Sequence, residues 1–142
     1  MTYVLDTNVV SALMRGDAEP TRRLLSMDRS RVLLPQPVIG EIEYGIARLP
    51  RSRTRTSLET RARALFVALP RAPWTDEVSA RFGATKAALE REGRRLEDFD
   101  IAIAAHALAV GAAVASANVR HLGRIEGLRV EDWSVSPSAP EK

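Results

Sequence analysis

The sequence predicts an α/β fold: a central parallel β-sheet with helices on both faces. Two observations carry that expectation. Short runs of β-branched and aliphatic residues, TYVL (2–5), VLLP (32–35), AAVAS (112–116) and GLRVEDW (127–133), alternate with longer stretches of helical periodicity. Acidic and amide side chains fall just after those runs or at the starts of the helices that follow them, where ligands gather in open parallel sheets.

The elements follow in order. TYVL reads as a strand ending at Asp6, and VVSALM (9–14) as a short helix stopped near Gly16. A second helix fits 18–28, with Leu24, Leu25 and Met27 facing inward. VLLP is the second strand. VIGEIEYGIARL (38–49) has apolar residues at 38, 39, 42, 46 and 49, the spacing of one helix face, and Pro37 near its start, where proline is tolerated. A long helix fits 55–69, and PRAPW (70–74) is a connector with room for a short strand. DEVSARFGATKAALEREG (76–93) opens on acidic residues and closes on glycine, as a helix does.

LEDFDIAIAAHALAVG (96–111) is apolar after Asp100 except for His106, which calls for a buried helix. AAVAS and GLRVEDW supply the last strands. Residues 1–133 read as one domain, and SVSPSAPEK (134–142) has the composition of a loose tail. There is no internal repeat.

Composition narrows the function. The chain of 142 residues is 45% hydrophobic and 27% charged, the balance of a globular domain. Its longest apolar run is too short for a membrane span, and MTYVLDTNVV lacks the basic region and cleavage site of a signal peptide, so the expected location is the cytoplasm. Without cysteine there is neither a disulfide framework nor a thiolate metal site. The net charge is +3, and every basic residue except Lys86 and Lys142 is arginine, the better fork for phosphate oxygens. PRSRTRTSLETRAR (50–63) is either a solvated face or a contact for a polyanion.

The acids pose the central question. Asp6 follows the first strand, Glu41 lies in the first turns of the helix after the second, and Glu97, Asp98 and Asp100 crowd the mouth of a helix about to be buried. Asn118 follows the strand at 112–116. Right-handed crossovers between parallel strands bring these positions to one edge of the sheet. Helix capping explains one residue per helix, and Asp98 reads first as such a cap; capping does not explain the whole set. Two carboxylates about 5 Å apart repel by roughly 3 kcal/mol at an effective dielectric of 20. A divalent cation reverses that sign, and carboxylate oxygens are hard ligands suited to Mg2+ or Mn2+. Periodicity leaves Glu41 and Glu43 both open, flanking the Val38–Ile42–Ile46–Leu49 stripe, with Gly45 clearing space beside Glu41. His106 lies 120° around its helix from Asp100, which makes it a packing residue and an unsuitable ligand, and His121 falls on a surface turn. Asn8 and Ser11 are placed either to steady Asp6 or to cap.

VLDTNVVS (4–11), GEIEYG (40–45), FDIAIAAHALAVGA (99–112), SANVRHL (116–122) and GLRVEDW (127–133) together resemble the PIN-domain toxins of the VapC type, over nearly the whole chain. The resemblance implies a Mg2+- or Mn2+-dependent endoribonuclease of a type II toxin–antitoxin system, with a cognate VapB-type antitoxin, an RNA substrate (transfer RNA first) and a homodimer. It implies a catalytic set of Asp6, Glu41, Asp100 and Asn118, with Asp6, Glu41 and Asp100 as metal ligands. It selects Glu41 over Glu43, through the pattern Glu-aliphatic-x-x-Gly. The fourth family position falls on Asn118, where many relatives carry Thr-x-Asn or Thr-x-Asp; here Ser116 replaces the threonine and no acid is present, so a second metal site lacks its acid. Helices 38–49 and 55–69 are candidates for the antitoxin groove or for the dimer face. The alternative reading is a PIN-like module that binds RNA or protein without chemistry.

Overall fold

β-Branched and aliphatic residues without a polar break suit strands covered on both faces, and the strands at the centre of the sheet have that composition. The computed structural model describes residues 1–136. Its strands are β1 (Tyr3–Leu5), β2 (Val32–Pro35), β3 (Arg71–Ala72), β4 (Ala113–Ala115) and β5 (Val130–Glu131). They form a single parallel sheet in the order β3-β2-β1-β4-β5. Val4, Leu5, Val32, Leu34, Val114 and Ala115 are fully buried.

The helices are α1 (Thr7–Arg15), α2 (Ala18–Leu25), α3 (Gln36–Ala47), α4 (Arg53–Ala68), α5 (Asp76–Arg91), α6 (Asp98–Val110) and the short α7 (Val119–Leu122), with one 3-10 turn at Arg29–Arg31. The first two crossovers step away from β1 on one side, and the chain then returns to place β4 on the other. With right-handed crossovers, that reversal puts helices on both faces of the sheet and opens a crevice where β1 and β4 part. α6 is buried all round from Ile101 to Ala107 and packs on β1, β4, α3 and α5. Trp133, fully buried, closes the β5 end, its ring edge-on to Tyr3 with centroids 5.3 Å apart.

Several boundaries differ from those the sequence suggests, each for a local reason. α1 begins at Thr7 because Asp6 serves as its cap, accepting from the Thr7 N–H at 2.7 Å. α2 ends at Leu25, which is 69% exposed and does not face inward, because Asp28 starts a separate 3-10 turn by accepting from the Ser30 N–H. α7, too short for any periodic signal, is an addition. Of the expected tail at 134–142, residues 137–142 lie outside the described residues; before them, the Val135 carbonyl accepts a bond from Arg23. No helix among the described residues is long and apolar enough to cross a membrane.

Two glycines test the local account. Gly111 ends α6 at φ +66, where a Cβ would meet no atom but the backbone conformation itself disfavours L side chains. Gly83 sits inside α5 with equally open space and an ordinary helical backbone. Gly111→Ala should therefore destabilise the protein by about 1 kcal/mol, while Gly83→Ala should stabilise it by about 0.5–1 kcal/mol. Urea unfolding curves read both.

Candidate active site at the carboxyl ends of β1 and β4

Asp6 is the first residue beyond β1, and its N–H still bonds the Ala115 carbonyl of β4 at 2.9 Å. The backbone thus continues the sheet one residue past the strand and delivers the side chain into the crevice. Asp6 is only 4% exposed. A buried carboxylate needs donors, and this one has three. Oδ1 accepts the Thr7 N–H at 2.7 Å; Oδ2 accepts the Ser116 hydroxyl at 2.6 Å and Asn8 Nδ2 at 3.1 Å.

Ser116, fully buried, is used to capacity. Its one proton goes to Asp6, and its oxygen accepts Asn8 Nδ2 at 3.2 Å and the Asn118 N–H at 2.9 Å. Asn8 also binds the Ala117 N–H through its Oδ1 at 3.0 Å, so one amide ties the start of α1 to the loop after β4. Asn8 therefore steadies Asp6, whereas Ser11 makes no hydrogen bond to it and lines a groove between α1, α3 and α4 together with Thr7 and Glu41.

Glu41 is half-buried in the second turn of α3, and its Oε1 accepts the Thr7 hydroxyl at 2.6 Å. Glu43 points elsewhere, into a two-bond ion pair with Arg63 that holds its carboxyl below the usual range. Thr7 is the residue that sequence reasoning passed over. Its place between Asp6 and Asn8 was the available signal, because the backbone N–H and hydroxyl of one residue reach two different carboxylates.

Asp100 lies half-buried in the first turn of α6. Burial, and then the negative charges of Asp6, Glu41 and Glu97, push its carboxyl up from 3.8 to about 6. Asp98 forms an ion pair with Lys86 of α5 at 2.9 Å and makes no side-chain cap; the helix mouth is spent on an interhelical bridge there. Asn118 caps nothing with its side chain either: its Oδ1 meets His121 Nδ1 at 2.7 Å. Asp100, Asn118, His121, Glu97, Asp98 and Arg95 line one cleft of about 570 Å3. His106 is a packing residue, fully buried, bonded through Nδ1 to the Ala102 carbonyl and edge-on to Trp74.

Among the described residues, no three acidic or imidazole side chains are yet drawn close enough to hold a metal ion. Asp6 is held by its own donors and Glu41 by Thr7, while Asp100 is repelled by both. None of Asp6, Glu41, Glu97 and Asp100 has a salt-bridge partner among the described residues. Hard oxygen donors, mutual repulsion and no basic partner make a donor set that suits a divalent cation such as Mg2+.

A family model described as PIN domain matches residues 3–128. The chain belongs to the PIN-domain family. This PIN domain is 28% identical over 134 residues to a protein of Salmonella typhimurium named tRNA(fMet)-specific endonuclease VapC, covering 94% of this chain and 98% of that one. A protein of the same name from Shigella flexneri is 26% identical over 136 residues, with 94% and 99% covered. The solved structure of DNA-bound VapBC from Salmonella typhimurium superposes with a TM-score of 0.83 at 26% identity, covering 94% of this chain and 98% of that one.

The raised carboxyl of Asp100 has a consequence for stability. A group whose folded pKa lies above its unfolded value costs nothing below about pH 4, and its full cost is felt above about pH 6. A shift of about two units corresponds to at most about 3 kcal/mol, which partial solvent access reduces to about 1–2 kcal/mol. In the metal-free PIN domain, Asp100→Asn should raise unfolding stability by that amount at pH 7.5 and by nearly nothing at pH 4. Paired urea titrations at the two pH values measure it.

Proposed function

We propose that this PIN domain is the toxin of a type II toxin–antitoxin pair: an endoribonuclease, dependent on Mg2+ or Mn2+, that hydrolyses RNA phosphodiester bonds in the cytoplasm. The observation that carries the reading is the set of unpaired carboxylates where β1 and β4 part, in a fold whose named relatives are VapC ribonucleases. Transfer RNA is the leading substrate, because the Salmonella and Shigella relatives bear that specificity in their names.

Asp6, Glu41 and Asp100 would hold the cation. When bound, it supplies an activated water and neutralises charge on the phosphate. The remaining work falls to the chain. Ser116, Asn8 and the Thr7 N–H keep Asp6 oriented, so that its oxygens need not reorganise when substrate arrives. The Thr7 hydroxyl keeps Glu41 beside it. Arg95, exposed on the rim of the acidic cleft and without a salt bridge among the described residues, offers a fork for the RNA backbone where the carboxylates would otherwise repel it.

The partner proposed is a VapB-type antitoxin, since related solved structures are VapBC complexes. A mostly apolar groove of about 500 Å3 between α1, α3 and α4 passes Glu41 and is lined by Met14, Tyr44, Ile46 and Leu58, with Arg15 and Arg48 beside them. It suits an amphipathic segment laid next to the site.

Asp6→Asn and Asp100→Asn should each lower Mg2+-dependent RNA cleavage by more than about a hundredfold while unfolding cooperatively. Wild-type rates in both would dispose of the assignment of these carboxylates, and a chain that cuts no RNA across a metal titration would belong to the class of non-catalytic binding modules. Arg95→Ala should raise KM about tenfold with kcat within about twofold, and should flatten the salt dependence of RNA binding by about one unit of log–log slope. Steady-state kinetics and binding titrations at several ionic strengths measure these.

A further inference from the structure

His121 stands outside the carboxylate set and outside every role given above. It is exposed on α7, three residues after Asn118, which puts the two side chains on the same side of one helical turn. Its Nδ1 lies 2.7 Å from Asn118 Oδ1. A carbonyl oxygen only accepts, so the proton of this bond sits on Nδ1.

The backbone of Asn118 is already pinned. Its N–H is bound by the Ser116 hydroxyl at 2.9 Å, and its carbonyl accepts the Leu122 N–H at 3.1 Å. What remains free is which end of the amide turns to the cleft that Asn118 shares with Asp100 and Arg95. A primary amide carries an acceptor on one end and two donors on the other, nearly equal in shape. Committing Oδ1 to His121 breaks that tie. The Nδ2 donors, which have no other partner among the described residues, are left for the cleft.

We propose that His121 is a positioning residue: by donating from Nδ1 it fixes the polarity of Asn118, whose Nδ2 then donates to a non-bridging phosphate oxygen of the RNA. The proposal rests on the nuclease reading for its substrate, and on the Asn118–His121 geometry for its mechanism. An amide donor favours an anionic oxygen, whereas the carbonyl end would repel it. The fourth family position, filled here by an amide, thereby becomes a contact to substrate oxygen.

Three substitutions separate this from a merely structural role. Asparagine at 121 places a donor where the imidazole Nδ1 was; aspartate has the same shape but only accepts; alanine offers neither. His121→Asn should keep kcat/KM for RNA within about threefold, His121→Ala should lose about tenfold, and His121→Asp should lose more than about tenfold. A second readout does not depend on activity. In the metal-free protein, long-range nitrogen–proton NMR correlations should show His121 with its proton on Nδ1, and the Asn118 side-chain amide resonances should move in His121→Asp far more than in His121→Asn. A proton on Nε2, or a His121→Asn variant as weak as His121→Ala, overturns the proposal even in a fully active nuclease. A wild-type chain that leaves RNA uncut removes the phosphate contact together with the nuclease reading, while the NMR result still decides the amide geometry.

Discussion

A nearly buried carboxylate at the end of a central strand constrains everything around it. Asp6 cannot be charged there without donors, and it takes them from both sides of the crevice: Thr7 and Asn8 at the start of α1, and Ser116 after β4. Those donors satisfy Asp6 without neutralising it. A hydrogen-bonded carboxylate still carries its full charge, and Asp100 and Glu41 must live with that charge next to them. The rise of Asp100 to about 6 reflects its burial first and then that unresolved repulsion. A fold selected for stability alone would place a lysine or arginine nearby. Lys86 is instead paired with Asp98 and Arg63 with Glu43, and Arg95 lines the cleft without forming a salt bridge among the described residues.

This division of labour between fixed and free acids gives each carboxylate a distinct mechanical character. Asp6 is immobilised by three donors, Glu41 by one, and Asp100 by no hydrogen bond of its own among the described residues. A cation entering the crevice would meet one rigid ligand and two that can still adjust. Reorganisation on binding would then fall mainly on α3 and on the mouth of α6.

Much of this was legible in the residues. The alternation of VLLP-like runs with helical periodicity fixes the α/β class, because a parallel strand covered on both faces leaves a continuous apolar word. The seven consecutive buried residues of α6 follow from a helix with one polar side chain in its run. The convergence of Asp6, Glu41 and Asp100 on one sheet edge follows from crossover handedness. What could not be read was anything decided by a single side-chain torsion. Asp98 and Asp100 are two residues apart in one acidic run and line the same cleft, yet one bridges to Lys86 and the other has no ion-pair partner among the described residues. Leu25 and Leu24 are adjacent and equally apolar, and only the end of α2 decides which is buried. The hydroxyls of Thr7 and Ser116 likewise carry no periodicity, and their partners come from other elements of the fold.

The bond between Asp6 and Ser116 spans 110 positions of sequence. β1 is made well before its neighbour β4 and the serine behind it. Long-range parallel pairing of this kind forms late and slowly. Until β4 is made, a nascent chain therefore carries an exposed aspartate at the end of a strand that β2 alone can pair. The crevice is completed only once β4 has paired with β1, after both α3 and α6 have been made.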